Sequence, residues 1–270
     1  MSNSIKGVNP IIKDNYSIFY IESLSDELKE VIRKDLSSIC HGPADAESGR
    51  SSYSYKSTLK EFVKRYSTKR DTHQKGMIGE LLLHIIMLEL LDDFEVDSPF
   101  FNLEERSAKK GFDVVVNKKS TNELWITEVK SGEQHKDKDT SGTAIELINA
   151  AKNDLIKRLN GDSIQLWNNA VHGAKIAIHE HRDSRKAIIS LLEDLQDAAN
   201  EDSVSSDDLN VILVGTVFNN LNDRINELQI SNKHTSLNRK SKFKKICLIA
   251  IQKSTYQAVF DFLESESKKQ

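Results

Sequence analysis

Two carboxylates and a lysine stand in apolar surroundings near the middle of this 270-residue chain. They are Asp113, Glu128 and Lys130, within the segment GFDVVVNKKSTNELWITEVKSG. Carboxylates on a buried sheet are costly unless they are paired or bind a cation. Because carboxylate oxygens are ligands that magnesium and manganese prefer, we expect a divalent cation at this position.

The segment itself predicts a β-hairpin. Residues 112–116 and 124–129 are runs rich in Val, Ile, Trp and Thr, and residues 117–122 between them are polar and turn-forming. Side chains alternate between the two faces of a strand, so Glu128 and Lys130 project from the same face. The hairpin therefore aligns the second carboxylate with the lysine.

The pairing register decides whether Asp113 joins that face. Opposite Ile126 or Glu128, its carboxylate shares the face, whereas a register shifted by one residue turns it away. Diagonal β-carbons roughly 7–8 Å apart leave room for a cation between two carboxylates. We predict that both carboxylates and Lys130, together with Glu80 from a segment upstream, converge on one cavity at the edge of the sheet.

An upstream segment predicts a buried helix that supplies a third carboxylate. Residues 76–91, GMIGELLLHIIMLELL, are apolar on nearly every side of a helix. Glu80 and His84 interrupt it four residues apart, which places both on one helical face. They can face the site of Asp113 and Glu128, or form a satisfied buried polar pair with each other or with a lysine. We assign the first role to Glu80 and the second to His84.

Acidic and basic residues nearly balance, so only locally basic segments could attract a polyanion such as nucleic acid. Lys and Arg total 38 against 41 Asp and Glu, so the formal net charge of −3 gives no overall attraction to nucleic acid. Residues 56–75 and 233–245 are locally basic and could contact a phosphate backbone, although a solvated surface is the ordinary alternative. The candidate contact residues are Lys64, Arg65, Lys69, Arg70, Arg239 and Lys240.

Other residue patterns bear on the cellular compartment of the protein, on zinc binding and on a membrane segment. Cys40 and Cys247 are far apart and lack metal-ligand spacing, which fits a reducing cytoplasm. His179 and His181 have no third ligand placed by the sequence, so a zinc site is not favoured. The longest apolar run, residues 77–91, is interrupted by polar residues and is shorter than the roughly 20 residues of a membrane span. We expect a cytoplasmic protein without a membrane segment.

The order of these elements resembles the PD-(D/E)XK nuclease superfamily. A helix with Glu80 precedes a strand with Asp113, a strand ending in Glu-x-Lys at Glu128 and Lys130, and a further helix. Phe112 replaces the proline of the superfamily's name. More narrowly, the segments IGELLLHIIMLELL, GFDVVV and LWITEVKSGE resemble the HamA nucleases of Hachiman anti-phage defence systems, most strongly over residues 75–160.

The resemblance implies hydrolysis of phosphodiester bonds in DNA. Asp113, Glu128 and the backbone carbonyl of Val129 would hold Mg²⁺ or Mn²⁺, and Glu80 would complete the shell directly or through water. Lys130 would orient the attacking water or help to deprotonate it. The resemblance also implies a partner, the helicase HamB, that restrains the nuclease. The alternatives are a restriction endonuclease subunit and a catalytically silent pseudonuclease, although the intact acidic residues and lysine speak against the second.

Periodicity along the rest of the chain predicts an α/β fold with a mixed central sheet flanked by helices. We expect a small α-rich segment at residues 1–70 that packs on a nuclease-like domain at residues 71–270. The patterns predict helices at residues 26–39, from 58 onward, at 143–159 and at 185–199, and strands at 16–21, 174–178, 211–218 and 246–251.

Overall fold

Seven strands form one mixed sheet in the computed structural model, which describes residues 4–101, 111–161, 163–240 and 242–269. The strands are β1 (Val8–Ile12), β2 (Tyr16–Ile21), β3 (Phe94–Val96), β4 (Val114–Lys118), β5 (Glu123–Glu133), β6 (Asn210–Phe218) and β7 (Lys245–Lys253). Their order across the sheet is β1-β2-β7-β6-β5-β4-β3. Strands β2, β7, β6 and β5 are parallel to one another, and β1, β4 and β3 add antiparallel pairs at the two sides.

Helices cover both faces of the sheet, which confirms the predicted α/β class. The helices are α1 (Asp26–His41), α2 (Pro43–Glu47), α3 (Tyr55–Ser67), α4 (Asp71–Leu90), α5 (Thr140–Leu159), α6 (Ile164–Ala177), α7 (Arg185–Asn200), α8 (Glu227–Arg239) and α9 (Gln257–Lys269). Apolar residues of α1, α3, α4 and α9 form the core on one face, and those of α5 to α8 form the core on the other. No helix in the described ranges combines the length and the apolarity needed to cross a membrane.

The parallel strands lie at the centre of the sheet because their sequences are continuous apolar runs. Every residue of β6, NVILVGTVF, is buried, as expected of a parallel strand that is covered on both faces. The neighbouring β5 is longer, and its residues are buried from Trp125 to Val129 but only partly buried or exposed from Lys130 onward. The carboxyl end of β5 is therefore accessible to solvent.

The first 70 residues contribute strands to this same sheet as well as helices. β1 pairs with β2, and β2 pairs in parallel with β7, where Tyr16 lies opposite Leu248. Helices α1 and α3 pack in the core on the face of α4. Residues at the amino end of the chain thus complete a sheet whose other strands come from the rest of the chain.

Several predicted element boundaries differ from the structure, and two of the differences have a clear local reason. Residues 174–178 are not a strand, because α6 continues to Ala177 with Ala170 and Ala174 buried at helical spacing. Helix α3 begins at Tyr55 rather than near residue 58, because the Ser54 hydroxyl accepts a hydrogen bond from the Ser57 amide and caps the helix. The apolar run at residues 174–178 is short enough to suit either a strand or the end of a helix. The mostly polar residues 54–57 suit either a loop or the start of a helix.

Gly79 allows α4 to lie directly on β5. A Cβ atom at this position would come within 1.9 Å of Ser131 Oγ and 3.0 Å of Ser131 Cβ. It would also approach the Cβ of Thr216 in β6 to 3.3 Å. Rotation of the serine hydroxyl relieves only the first contact. The close approach of helix and sheet therefore depends on the absence of a side chain at residue 79.

We expect Gly79→Ala to destabilise the protein by about 1–3 kcal/mol, the usual cost of adding a methyl group to a packed core. Gly76→Ala is the matched control in the same helix, because nothing lies within 4 Å of a Cβ there. That control should gain about 0.5–1 kcal/mol from helix propensity. Thermal unfolding followed by circular dichroism compares the two, and equal melting temperatures would contradict the close packing at Gly79.

Candidate active site at the β4–β5 hairpin

The hairpin register brings Asp113 and Glu128 side by side. Val114 pairs with Thr127 and Val115 with Ile126 across β4 and β5. Continuing this antiparallel register by one residue sets Asp113 opposite Glu128. The Val129 amide donates a hydrogen bond of 2.7 Å to Asp113 Oδ2, which fixes the aspartate beside β5. Both carboxylates therefore lie on the face of the sheet covered by α5.

Glu128 is a buried carboxylate held between two cations. Its side chain is only 1% exposed. Oε1 accepts a hydrogen bond from Lys130 Nζ at 2.8 Å, and Oε2 accepts one from Arg158 Nη1 at 2.8 Å. Burial, followed by the charge of Asp113, raises the pKa of Glu128 to about 8, although Arg158 and Lys130 oppose the rise. The site therefore favours additional positive charge near Glu128 at neutral pH.

Lys130 is held as an ammonium by two carboxylates. Besides Glu128, its Nζ donates a hydrogen bond of 2.7 Å to Asp154 Oδ2. Burial alone would lower the pKa of Lys130, but the charge of Glu128 and the hydrogen bond to Asp154 outweigh burial and raise the pKa. A protonated lysine can orient a water or stabilise negative charge, but it cannot accept a proton in this state.

Helix α5 supplies two site residues that the sequence analysis did not identify, Asp154 and Arg158. They are separated by one helical turn and flank Leu155, which is fully buried against the sheet. The Arg158 guanidinium also donates through Nη2 to the carbonyl oxygen of Gly111. The sequence did contain a signal, because both charged residues lie beside the inward stripe of Ala151 and Leu155.

Glu80 reaches the sheet from the opposite side. The adjacent Gly79 rests on Ser131, whose side chain alternates with that of Lys130 and therefore projects from the other face. Burial raises the pKa of the Cys40 thiol well above its usual value, and the carboxylate of Glu80 adds to the rise. Glu80 thus lies in the helical layer that contains Cys40. Its participation in a metal site remains a prediction.

His84 occupies the core beneath that layer. Its side chain is fully buried, and its ring meets Phe100 edge-on with 5.8 Å between the ring centroids. The polar pair with Glu80 or a lysine that the sequence indicates for His84 stays a prediction.

The first basic segment lies near the carboxyl end of β5. Lys64, Lys69 and Arg70 are exposed on the end of α3 and the turn into α4. Lys75, one turn into α4, forms an ion pair of 3.0 Å with Glu133 at the end of β5. This segment and the charged hairpin residues therefore share one end of the sheet.

Arg65 belongs to the same segment but has different surroundings. Its Nε donates to Glu61 Oε1 at 2.9 Å, and its guanidinium carbon lies 3.8 Å from the centroid of the Phe101 ring. The contact is a cation–π interaction that packs the guanidinium of this α3 residue against Phe101, in the segment after β3. Arg65 is thus less available to a phosphate than its exposed neighbours.

The second basic segment lies toward the opposite end of the strands. Arg239 and Lys240 are exposed at the end of α8. One turn earlier, His234 contacts the carbonyl oxygen of Ile246 near the start of β7. Since β7 runs parallel to β5, these two residues lie away from Lys130 along the strand direction. Contact of either segment with DNA remains a prediction.

The oxygen atoms around Glu128 suit a hard divalent cation. The N–H and C=O of a strand residue project to the same edge, so the Val129 carbonyl is directed toward the side of Asp113. Within the described ranges, no cluster of three or more His, Cys, Asp or Glu side chains has metal-binding proximity. Magnesium often uses one or two carboxylates and takes its other ligands from water and substrate phosphate. The residues present therefore fit such an ion.

A groove adjoins the hairpin immediately after Lys130. It has a volume of about 550 Å³ and runs between β5, the start of α4 and Leu147 of α5. Gly132 forms part of its floor, where a Cβ atom would meet only Leu147 at 3.6 Å. The groove therefore lies next to Lys130 along the chain, at the carboxyl end of β5.

The fold and the site together define the class of the protein. A mixed sheet covered by helices on both faces, with an aspartate and a Glu-x-Lys sequence on adjacent strands, is an α/β nuclease-like arrangement. The family model of HamA matches residues 2–266, so the chain belongs to the HamA family. This confirms the resemblance found over residues 75–160 and extends it to almost the whole chain. The protein is therefore associated with Hachiman defence. A comparison with curated proteins finds no match.

Proposed function

We propose that the protein is a metal-dependent DNA nuclease that acts as an effector of Hachiman anti-phage defence. The observation that carries the proposal is the placement of Asp113, Glu128 and Lys130 on one face of the β4–β5 hairpin. Membership of the HamA family supports the same activity.

In this proposal Asp113, Glu128 and the Val129 carbonyl hold Mg²⁺ or Mn²⁺. When bound, such an ion would lower the pKa of an attacking water and would neutralise charge on the scissile phosphate. Lys130 orients that water and stabilises the charge that develops on the phosphate oxygens. Its proton is retained, because Glu128 and Asp154 raise its pKa.

The direct test is cleavage of DNA by the purified chain with and without a divalent cation. We expect degradation of labelled DNA in the presence of Mg²⁺ or Mn²⁺, and loss of activity when a chelator removes the ion. Restoring excess Mg²⁺ to the same sample should restore cleavage. If the chain binds DNA but never cleaves it with metal and free of any partner, the pseudonuclease alternative replaces the proposal.

Restraint by a helicase forms the second part of the proposal. Membership of the HamA family supports a partner in the same defence system, the helicase HamB. The printed sequence contains no GxxxxGK phosphate-binding loop that would let this chain use ATP itself. Co-expression followed by size-exclusion chromatography tests the association, and separate elution at micromolar concentration would count against it.

We propose that the exposed residues of the first basic segment contact the phosphate backbone. Replacing Lys64, Lys69 and Arg70 with Ala should weaken binding to all DNA sequences. Each lost phosphate contact should reduce the slope of log K against log salt by about 0.9 for duplex DNA. The double variant of Arg239 and Lys240 is the comparison, because these residues lie toward the other end of the strands. An unchanged slope in the triple variant would make the first segment an ordinary solvated surface.

A further inference from the structure

Two side chains of α5 hold the charged groups of the hairpin in place. We propose that Arg158 and Asp154 are positioning residues for the nuclease reaction, with Arg158 setting the spacing between the metal-binding strands and Asp154 fixing the Lys130 ammonium. The inference rests on the proposed function and deepens it. Neither residue needs to touch the reacting atoms to act in this way.

Arg158 joins the segment just before β4 to the middle of β5. One nitrogen of its guanidinium, Nη1, lies 2.8 Å from Glu128 Oε2, and Nη2 donates to the carbonyl oxygen of Gly111. A guanidinium is planar and rigid, so its two bonds impose a fixed separation on the groups that they join. Gly111 lies two residues before Asp113, and paired strand β4 begins only at Val114. Arg158 therefore ties the chain just beyond the end of the hydrogen-bonded ladder, where Asp113 stands.

Asp154 restricts the position of Lys130. A lysine side chain has four flexible carbon–carbon bonds, and freezing them requires more than one contact. The Lys130 ammonium is held at 2.8 Å by Glu128 and at 2.7 Å by Asp154, which lie on different secondary-structure elements. The Lys130 side chain is 32% exposed, so losing one carboxylate would let the ammonium turn toward solvent.

Helix α5 is a rigid support for both residues. Ala144, Ile148, Ala151 and Leu155 are all fully buried along its inner side. At Gly215 of β6 a Cβ atom would come within 2.8 Å of the Ala144 carbonyl oxygen, so the helix lies very close to the sheet. Asp154 and Arg158 therefore project from a support that is fixed relative to β5.

The two roles make different predictions for single variants of the full chain. Arg158→Ala should weaken Mn²⁺ binding, measured by calorimetry without DNA, by about 10–100-fold, the usual effect of losing a partner of a metal ligand. Arg158→Lys keeps the charge without the two-point fork, and it should recover only part of that affinity. Asp154→Asn should lower kcat for DNA cleavage by about 10-fold or more, while Mn²⁺ affinity and KM stay within about twofold.

Two control variants remove equal charges from the same helix. Lys157→Ala removes a cation beside Arg158, and Glu146→Gln removes an exposed carboxylate that pairs with Lys138. Both should bind Mn²⁺ and cleave DNA like the wild type. Wild-type Mn²⁺ affinity in Arg158→Ala, or an unchanged kcat in Asp154→Asn, would overturn the corresponding role.

The experiment separates this inference from the proposed function. If Arg158→Ala does not fold, the Mn²⁺ affinity of Arg158→Lys is the deciding measurement. Wild-type Mn²⁺ affinity in that variant would overturn the role proposed for the two-point contact of the guanidinium. If the wild-type chain binds Mn²⁺ without cleaving DNA, the nuclease proposal fails. The calorimetric comparison of Arg158 variants would still show whether the guanidinium positions the metal-binding strands.

Discussion

The Lys130→Ala variant should cleave DNA about 10²–10³-fold more slowly than the wild type, the effect typical of losing one preorganised electrostatic group. The reason is local: the substitution removes the ammonium but leaves Asp113 and Glu128 as metal ligands. Mn²⁺ binding should therefore survive. Measuring initial rates under saturating metal and DNA separates a loss of chemistry from a loss of binding.

A remote ion-paired lysine provides the control for this experiment. Lys175 forms an ion pair of 2.8 Å with Glu193 between α6 and α7, on the outside of the protein. Lys175→Ala removes the same charge and a comparable ion pair without touching the hairpin. Equal cleavage by wild type and Lys130→Ala, with Lys175→Ala also unchanged, would contradict the catalytic role of Lys130.

Glu128→Ala should abolish cleavage together with metal binding. The structure adds an expectation for stability, because Glu128 is the common partner of Lys130 and Arg158. Removing Glu128 leaves Lys130 with Asp154 and Arg158 with the Gly111 carbonyl oxygen as partners. We therefore expect a loss of about 1–3 kcal/mol, below the roughly 3–5 kcal/mol typical of a buried charge left without any partner. A melting temperature equal to that of the wild type would indicate that the network does not contribute to folding.

The second large effect is expected at Lys253, the last residue of β7. Its side chain is 2% exposed, and burial lowers its pKa. Within the described part of the chain, no carboxylate is hydrogen-bonded or ion-paired to its ammonium. Replacing Lys253 with Met keeps most of the apolar stem and removes the buried charge. We expect the variant to be more stable at pH 7 by about 1–3 kcal/mol.

The pH dependence of this effect has a definite sign. Between the lowered folded-state pKa and the ordinary value of 10.5, the unfolded chain binds a proton that the folded chain lacks, so wild-type stability rises with pH. The advantage of Lys253→Met should therefore shrink as pH rises through that window. Lys244→Met, at an exposed position just before β7, is the control and should show no such trend. A constant difference from pH 7 to 10.5 would contradict the prediction.

The hairpin could be predicted from the sequence because its information is local. Alternation along residues 112–129 fixes which side chains share a face, and the polar turn between the runs fixes which strands pair. The same reasoning could not find Arg158 and Asp154 as partners of Glu128 and Lys130. Their roles depend on how α5 is rotated and placed over β5, which follows from packing among distant residues.

Other differences have physical reasons of the same kind. Residues 174–178 form an apolar run too short to distinguish a strand from the end of a helix, and the packing of α6 decides the question. Strand β1 escaped prediction because VNPII contains Pro10 and lies at an edge, where alternation is weak and proline is tolerated. Lys253 reads in the sequence as the polar end of an apolar run, and only the surrounding strands and helices bury it.

The pairing of β2 with β7 affects when the protein can become complete during synthesis. The β4–β5 hairpin and its charged residues are local and can form as soon as they leave the ribosome. β2, however, must wait until its partner β7 has been made, and long-range pairings of this type form slowly. The central sheet, and with it the support beneath the hairpin, is therefore assembled only after β7 has left the ribosome. A chain cut short before β7 would carry the charged segment without its scaffold.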